Sequence, residues 1–198
     1  MRGTYPTSPA FNSLSISCVQ PTFISRAISG RRQARQTHGQ YFKMTASFPP
    51  MTRAQFAPIH AFVLKQRGQY ESFQVVPPVL NAGLGSPAGT PLVNGADQTG
   101  RSVVTDGWNN SIVIFKAGDY LKFANHDKVY TVSADVSSSG AGAATIAIEP
   151  ALITSPADDS AITYTSVPFT VALTSRVQDF STGTTGLFEF EIDLEEVI

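Results

Sequence analysis

Three histidines, one cysteine and two adjacent carboxylate pairs are the residues of this 198-residue chain best suited to chemistry. His38, His60 and His126 lie far apart, and none falls in a ligand spacing such as His-Glu-x-x-His, so they predict no metal centre. His60 is expected at the edge of the core. Cys18 stands alone, which rules out an intramolecular disulfide and a cysteine-built metal site; it is expected to pack as a small apolar residue in a strand. Asp158 with Asp159, or Glu195 with Glu196, would be the acid pairs of a glycosidase, but adjacent carboxylates are common solvated features. No Gly-x-Ser-x-Gly elbow occurs, and the stretch from Ser138 to Ala143 lacks the following Lys and Ser/Thr of a phosphate loop. That stretch is expected to form a loose hairpin between a strand ending at Val136 and one beginning near Thr145. The chain is therefore expected to be no enzyme, with no catalytic residue, bound cofactor or metal. Trp108 and Tyr120 flank an apolar run from Ile112 to Phe115. Exposed aromatics stack on sugars or bases, but aromatics dominate the cores of small domains, and both are expected in such a core.

The elements that must position these residues are mostly strands. From Phe188 to Glu195, Phe188, Phe190, Ile192 and Leu194 alternate with Glu189, Glu191, Asp193 and Glu195. A period of two puts every apolar side chain on one face and every carboxylate on the other, which predicts a half-buried strand with an acidic outer face. Further strands are expected over Ser13–Val19, Tyr41–Phe48, Ser72–Val76, Ser111–Phe115, Val129–Val136, Thr145–Glu149 and Phe169–Leu173. One segment reads as helix, from about Thr52 to Arg67. Thr52 suits its N-cap, Phe56, Ile59 and Val63 fall at helical spacing, and Gly68 suits a left-handed C-cap. Pro58 is tolerated in a first turn and otherwise kinks the rod. Pro77 to Gly100 and Ile153 to Pro168 read as connections rich in Gly, Pro, Ser and Asn. The fold expected is mainly β: a β-sandwich or barrel core with one packed α-helix and an inserted small β module. Residues 1–83 and 164–198 are expected to complete the core, and 84–163 to form the insert.

Charge is distributed unevenly. Residues 1–70 hold nine Lys and Arg and no acid, while the remainder holds five basic residues and all fifteen acids. The basic residues are spread out rather than packed into a cluster of ~5 to 8, so a specific nucleic-acid surface is not expected. The expectation is that Arg26, Arg31, Arg32 and Arg35 meet acidic surfaces of a neighbouring copy, with Glu189, Glu191, Asp193 and Glu195 as the acidic counterpart. Charged residues make up 15% of the chain, below the roughly 25% of an average domain, which suits a subunit that hides surface in an assembly. No stretch approaches a membrane span and the first residues lack an apolar run of signal-peptide length, so a soluble protein with no membrane partner is expected.

Two separated pieces resemble the distal tail protein, or minor tail protein, family of long-tailed bacteriophages. FPPMTRAQFAPIHAFVLKQRGQYESFQVVPP (48–78) is similar to the family's strand, helix, Gly turn, aromatic strand and closing Pro-Pro, and LFEFEIDLEEVI (187–198) to its acidic final strand. Between them, QTGRSVVTDGW and AGDYLKFANHDKVYTVSADVSSSGAGAATIAIEPAL look like a β module of tail-tip proteins. The resemblance covers about two thirds of the chain. It implies a non-catalytic virion protein of the tail tip, assembled in the host cytoplasm, and a homo-oligomeric, hexameric ring joining the tail tube protein to the hub or baseplate proteins. The tape measure protein is a further partner of that ring. The rival reading is an accessory module of the tail that binds a host-surface glycan through Trp108.

Overall fold

The computed structural model describes residues 3–37, 39–183 and 186–198, so His38 lies outside the described residues. In chain order the elements are β1 (Ser13–Val19), β2 (Thr22–Arg26), β3 (Arg32–Gln36), β4 (Tyr41–Ser47), α1 (Arg53–Lys65), β5 (Ser72–Val75), β6 (Gly89–Val93), β7 (Ser102–Trp108) and β8 (Val113–Phe115). They continue with β9 (Tyr120–Phe123), β10 (Val129–Val132), β11 (Val136–Ser137), β12 (Ala144–Glu149), β13 (Ile162–Thr163), β14 (Phe169–Leu173), β15 (Phe180–Thr182) and β16 (Phe188–Glu196). The fold is mainly β, with a single α-helix among the described residues.

Period-two patterning builds the first sheet, ordered β1-β4-β16-β14-β5, with β15 added to β16. Phe42, Met44 and Ala46 of β4, Phe190, Ile192 and Leu194 of β16, and Phe169, Val171 and Leu173 of β14 all turn inward and are buried. Helix α1 covers this face with Phe56, Ile59 and Val63. Each such side chain contributes on the order of 1.5–3 kcal/mol by leaving water. The last strand lies between β4 and β14, antiparallel to both, so the end of the chain closes a sheet begun at residue 13.

Thr52 caps α1, and the Gln55 side-chain oxygen accepts from the Thr52 backbone N–H at 3.0 Å. Because the helix starts at Arg53, Pro58 falls beyond its first turn and the Ala54 carbonyl loses its usual N–H partner there. Chain reversal after the helix takes two left-handed residues, Arg67 as well as Gly68.

The inserted β module is a second sheet, ordered β13-β9-β10-β12-β7-β6. An antiparallel bridge from Leu92 to Ala161 brings its two ends together, so the sheet nearly closes into a barrel around its own core, in which Phe115, Leu121, Phe123, Tyr130, Ile146 and Ile148 are buried. Both closing strands fall in segments read from sequence as connections. Short length hides them, and in β6 also Pro91 and a register shift between Gly89 and Leu92, since Pro and bulges erase period-two signals. Gly107 holds φ +74° beside β6, where a Cβ would lie 2.4 Å from the Thr90 carbonyl oxygen. The loose hairpin expected between Val136 and Thr145 is corrected in one respect: β11 pairs with β8, while β12 pairs with β7 and β10. Ser139 closes the intervening turn through its backbone N–H, donated to the Ala143 carbonyl, and its side-chain oxygen, which accepts from the N–H groups of Ala141 and Ala143.

Candidate interaction surfaces

Strands β2 and β3 form a two-stranded ribbon that pairs with no other strand, and every residue in both is exposed. Sequence showed only its charge. Phe23 is 71% exposed, Ile24 55%, and Ile28 in the connecting turn lies fully in solvent. A lone ribbon is at best marginally stable in water, and this one, an arm with ten exposed strand residues and apolar side chains among them, buries little surface in its own chain. Register makes the case stronger. Arg26 stands directly opposite Arg32, and like charges in a cross-strand pair destabilise a ribbon. Among the described residues none of Arg26, Arg31, Arg32 and Arg35 has an ion-pair or side-chain hydrogen-bond partner. One anchor ties the root of the arm to the inserted module, where the Arg101 guanidinium donates to the Gln36 side-chain oxygen at 3.1 Å.

The acidic face of β16 divides in two. Asp193 accepts from the Thr45 hydroxyl at 2.6 Å, and Glu195 lies 3.4 Å from the Lys43 ammonium, so both are engaged within the first sheet. Glu189 and Glu191 are exposed and, among the described residues, make no such contact; the same holds for Asp179 just before β15.

Glu196, the next acid, departs from its neighbours. It falls in phase with the inward-facing apolar positions and is buried. Its carboxylate pairs with the buried Lys128 ammonium at 2.5 Å and accepts from the backbone N–H groups of Phe42 at 3.1 Å and Val129 at 3.0 Å. Burial holds the Lys128 ammonium below its ordinary pKa, with the Glu196 charge opposing. Nearby, Asp127 accepts from the Lys122 ammonium at 2.8 Å and the Thr170 hydroxyl at 2.9 Å. Lys122, Asp127 and Lys128 belong to the inserted module, whereas Glu196, Thr170 and Phe42 belong to the first sheet. These charged contacts, with Tyr120 packed edge-on against Phe42 and Phe169, seat the module on the core.

Other residues singled out from sequence fall into structural places. Trp108 is buried, its ring packs on Phe115 and Tyr164, and its indole N–H donates to the Thr105 hydroxyl at 2.9 Å. A ring enclosed in this way offers no face to a sugar, so the assignment of Trp108 as a glycan contact is corrected to a core role. Tyr120, expected in the same core, packs instead toward the first sheet. Cys18 lies in a strand but is exposed at the sheet edge, where its sulfur accepts from the Gln40 side-chain amide. His60 stacks on Phe56 at the core edge. Among the described residues no group of three or more His, Cys, Asp or Glu is placed to hold a metal ion.

His126 is half-buried between Asn125 and Tyr130, 3.0 Å from a side-chain oxygen of each. Burial, and then the nearby Lys122 cation, push its pKa below 6.5, with Asp127 opposing. The unfolded chain then takes up this proton more readily than the folded one. Stability should therefore fall as pH drops below about 6.5 and level off once the folded imidazole also charges. Urea unfolding between about pH 5 and 7.5 should show this slope in the native chain and a flatter one in His126→Gln; identical slopes would refute the assignment.

Residues 82–167 match the family model described as distal tail protein pb9, B domain, a match covering fewer than half of the 198 residues. It spans the whole second sheet, including β6 and β13. None of the curated proteins matches the chain. The inserted module is thus similar to a phage tail domain, in agreement with the resemblance to distal tail proteins read from the sequence.

Proposed function

We propose, with the distal-tail match over residues 82–167 as the premise, that this chain is a non-catalytic structural subunit of a phage tail tip. Copies assemble head to tail into a closed ring, a hexamer on family grounds. That ring joins the tail tube to the hub or baseplate, with the tape measure protein as a further neighbour. Residues 1–83 and 164–198 supply the ring-forming core, and 84–163 the module carried on it. The observation that supports this best is the exposed arm: among the described residues its four arginines have no ion-pair or side-chain hydrogen-bond partner, and Asp179, Glu189 and Glu191, likewise without one, lie in other segments. Opposite patches on one subunit make a heterologous interface, and heterologous interfaces close into rings when the rotation allows.

Native mass spectrometry of the full chain tests the reading, with a closed ring as the expected species. A chain that stays monomeric at every concentration, alone and with tail tube and hub proteins, would refute it. Replacing all four arginines with glutamine should weaken ring formation. Duplex DNA should bind the ring weakly; tight binding whose affinity falls with salt at a slope near ~0.9 per phosphate contacted would make the arm a nucleic-acid grip instead.

A further inference from the structure

His126 stands in the turn between β9 and β10, and the hydrogen bonds around it fix which ring nitrogen carries the proton. The Asn125 amide nitrogen donates to the Ser155 carbonyl at 3.1 Å, so the Asn125 oxygen is the atom that faces the imidazole, 3.0 Å from Nδ1. An oxygen that can only accept needs a donor there, so Nδ1 carries the hydrogen and the neutral ring leaves Nε2 bare. Nε2 lies 3.0 Å from the Tyr130 hydroxyl oxygen and accepts its hydrogen. That oxygen also accepts from the backbone N–H groups of Ile153, at 3.3 Å, and of Thr154. A hydroxyl has one hydrogen and two lone pairs, and here all three are committed.

We propose that His126 is a proton-operated latch on the loop after β12, and that charging its ring loosens the backbone at Ile153 and Thr154. The charged ring carries a hydrogen on Nε2 as well, which points at the Tyr130 hydrogen. The hydroxyl must turn to accept from Nε2, and one lone pair is then left for two amides. Tyr130 is fully buried, so solvent does not make up the missing bond. The release is confined by its neighbours. The Leu152 N–H stays on the Gly100 carbonyl at 2.7 Å, and Ser155 stays on Asn125, whose oxygen accepts from Nδ1 in either state of the ring. Ile153 also walls a cleft of about 260 Å³ whose far side is Gln36, Thr37 and Gln40, at the root of the β2–β3 arm. The proton thus acts on the joint between module and arm, whether or not copies form a ring.

The charges around the ring bear on when the latch opens. Lys122 of β9 opposes the second proton and Asp127 of the same turn favours it. Burial, and further the Glu196 charge, raise the Tyr130 hydroxyl, so it keeps its hydrogen throughout. The loop from Pro150 to Pro156 brings no titratable side chain.

Hydrogen–deuterium exchange of the full chain, read by mass spectrometry and corrected for the intrinsic effect of pH, tests the latch. Between pH 7.5 and pH 4.5 the peptide carrying Ile153 and Thr154 should lose protection by roughly tenfold, while β12 keeps its own. His126→Gln should show no such change with pH. Tyr130→Phe, which keeps the ring and loses the hydroxyl, should exchange fast at Ile153 and Thr154 at both values. Protection at these two residues that is the same at both pH values in the native chain, or a fall that persists in His126→Gln, would overturn the proposal. So would an equal loss in β12, which would make the change acid unfolding of the module, or Tyr130→Phe that stays protected at pH 7.5.

Discussion

Replacing Glu196 with leucine should cost about 3–5 kcal/mol of stability, because it leaves the Lys128 ammonium buried without its anion. Two backbone N–H groups, those of Phe42 and Val129, lose their acceptor in the same step. Each buried donor left without a partner adds a cost of about 1–3 kcal/mol, part of which the structure recovers by relaxing. Converting both partners, Lys128→Met with Glu196→Leu, should recover much of the loss by removing the uncompensated charge, though not the two orphaned N–H groups. Glu196→Gln keeps an acceptor and should fall between. Burial holds Lys128 below its ordinary pKa, and the carboxylate that opposes this shift is gone in Glu196→Leu. The unfolded chain then holds the lysine proton more tightly than the folded one, so stability of the leucine variant should climb as pH rises toward the ordinary lysine value of 10.5, more steeply than in the native chain. Urea unfolding decides these points. A leucine variant within about 1 kcal/mol of the native chain would show that the pair contributes little.

The same position shows what the sequence discloses and what it conceals. Alternation from Phe188 to Leu194 is strong enough to give the strand and its acidic outer face, because inward Phe, Ile and Leu repeat against outward acids without interruption. Continued by one step, that phase points Glu196 inward, so the signal for a buried carboxylate was present as a charge at an apolar position. Its partner was not legible, since Lys128 lies 68 residues away and nothing local distinguishes it from Lys116 or Lys122. The helix was legible for the same reason as β16. Its capping Thr52 and the spacing of Phe56, Ile59 and Val63 are local features that the packed structure has no cause to override.

The arm was illegible for a different physical reason. A strand reveals itself by the difference between a wet face and a dry one, and β2 and β3 are exposed on both faces within one chain. Its arginines are legible in the sequence only as charge, and the structure adds the arrangement in which Arg26 and Arg32 oppose each other. Strands β6 and β13 escaped notice because closing a barrel takes only a few residues at each end: Leu92, Val93 and Ala161 to Thr163 complete the sheet in segments otherwise made of turns. The acidic face is also less uniform than its sequence, with Asp193 and Glu195 satisfied inside the chain and Glu189 and Glu191 exposed without such contacts among the described residues.

Trp108→Ala should cost about 3–5 kcal/mol, as large-to-small changes of buried aromatics do. The indole closes the module core from the β7 side, 5.5 Å between ring centroids from both Phe115 and Tyr164. Its N–H is also one link in a chain of bonds, since the Thr105 hydroxyl that accepts from it donates in turn to the Ala144 carbonyl of β12. Removing the ring therefore opens a cavity and releases a tie between β7 and β12. Trp108→Phe should cost less, because it retains most of the volume and loses chiefly the hydrogen bond and the space of the second ring. Trp108 is the sole tryptophan, so the comparison needs circular dichroism rather than intrinsic fluorescence. In the native chain the same indole serves as its own probe: acrylamide should quench it far more slowly than free indole. Any glycan binding lost in Trp108→Ala would thus report a collapsed module rather than a missing sugar platform. A variant that unfolds within about 1 kcal/mol of the native chain, or an indole quenched as fast as in solution, would place the ring at the surface and return it to the list of sugar-binding candidates.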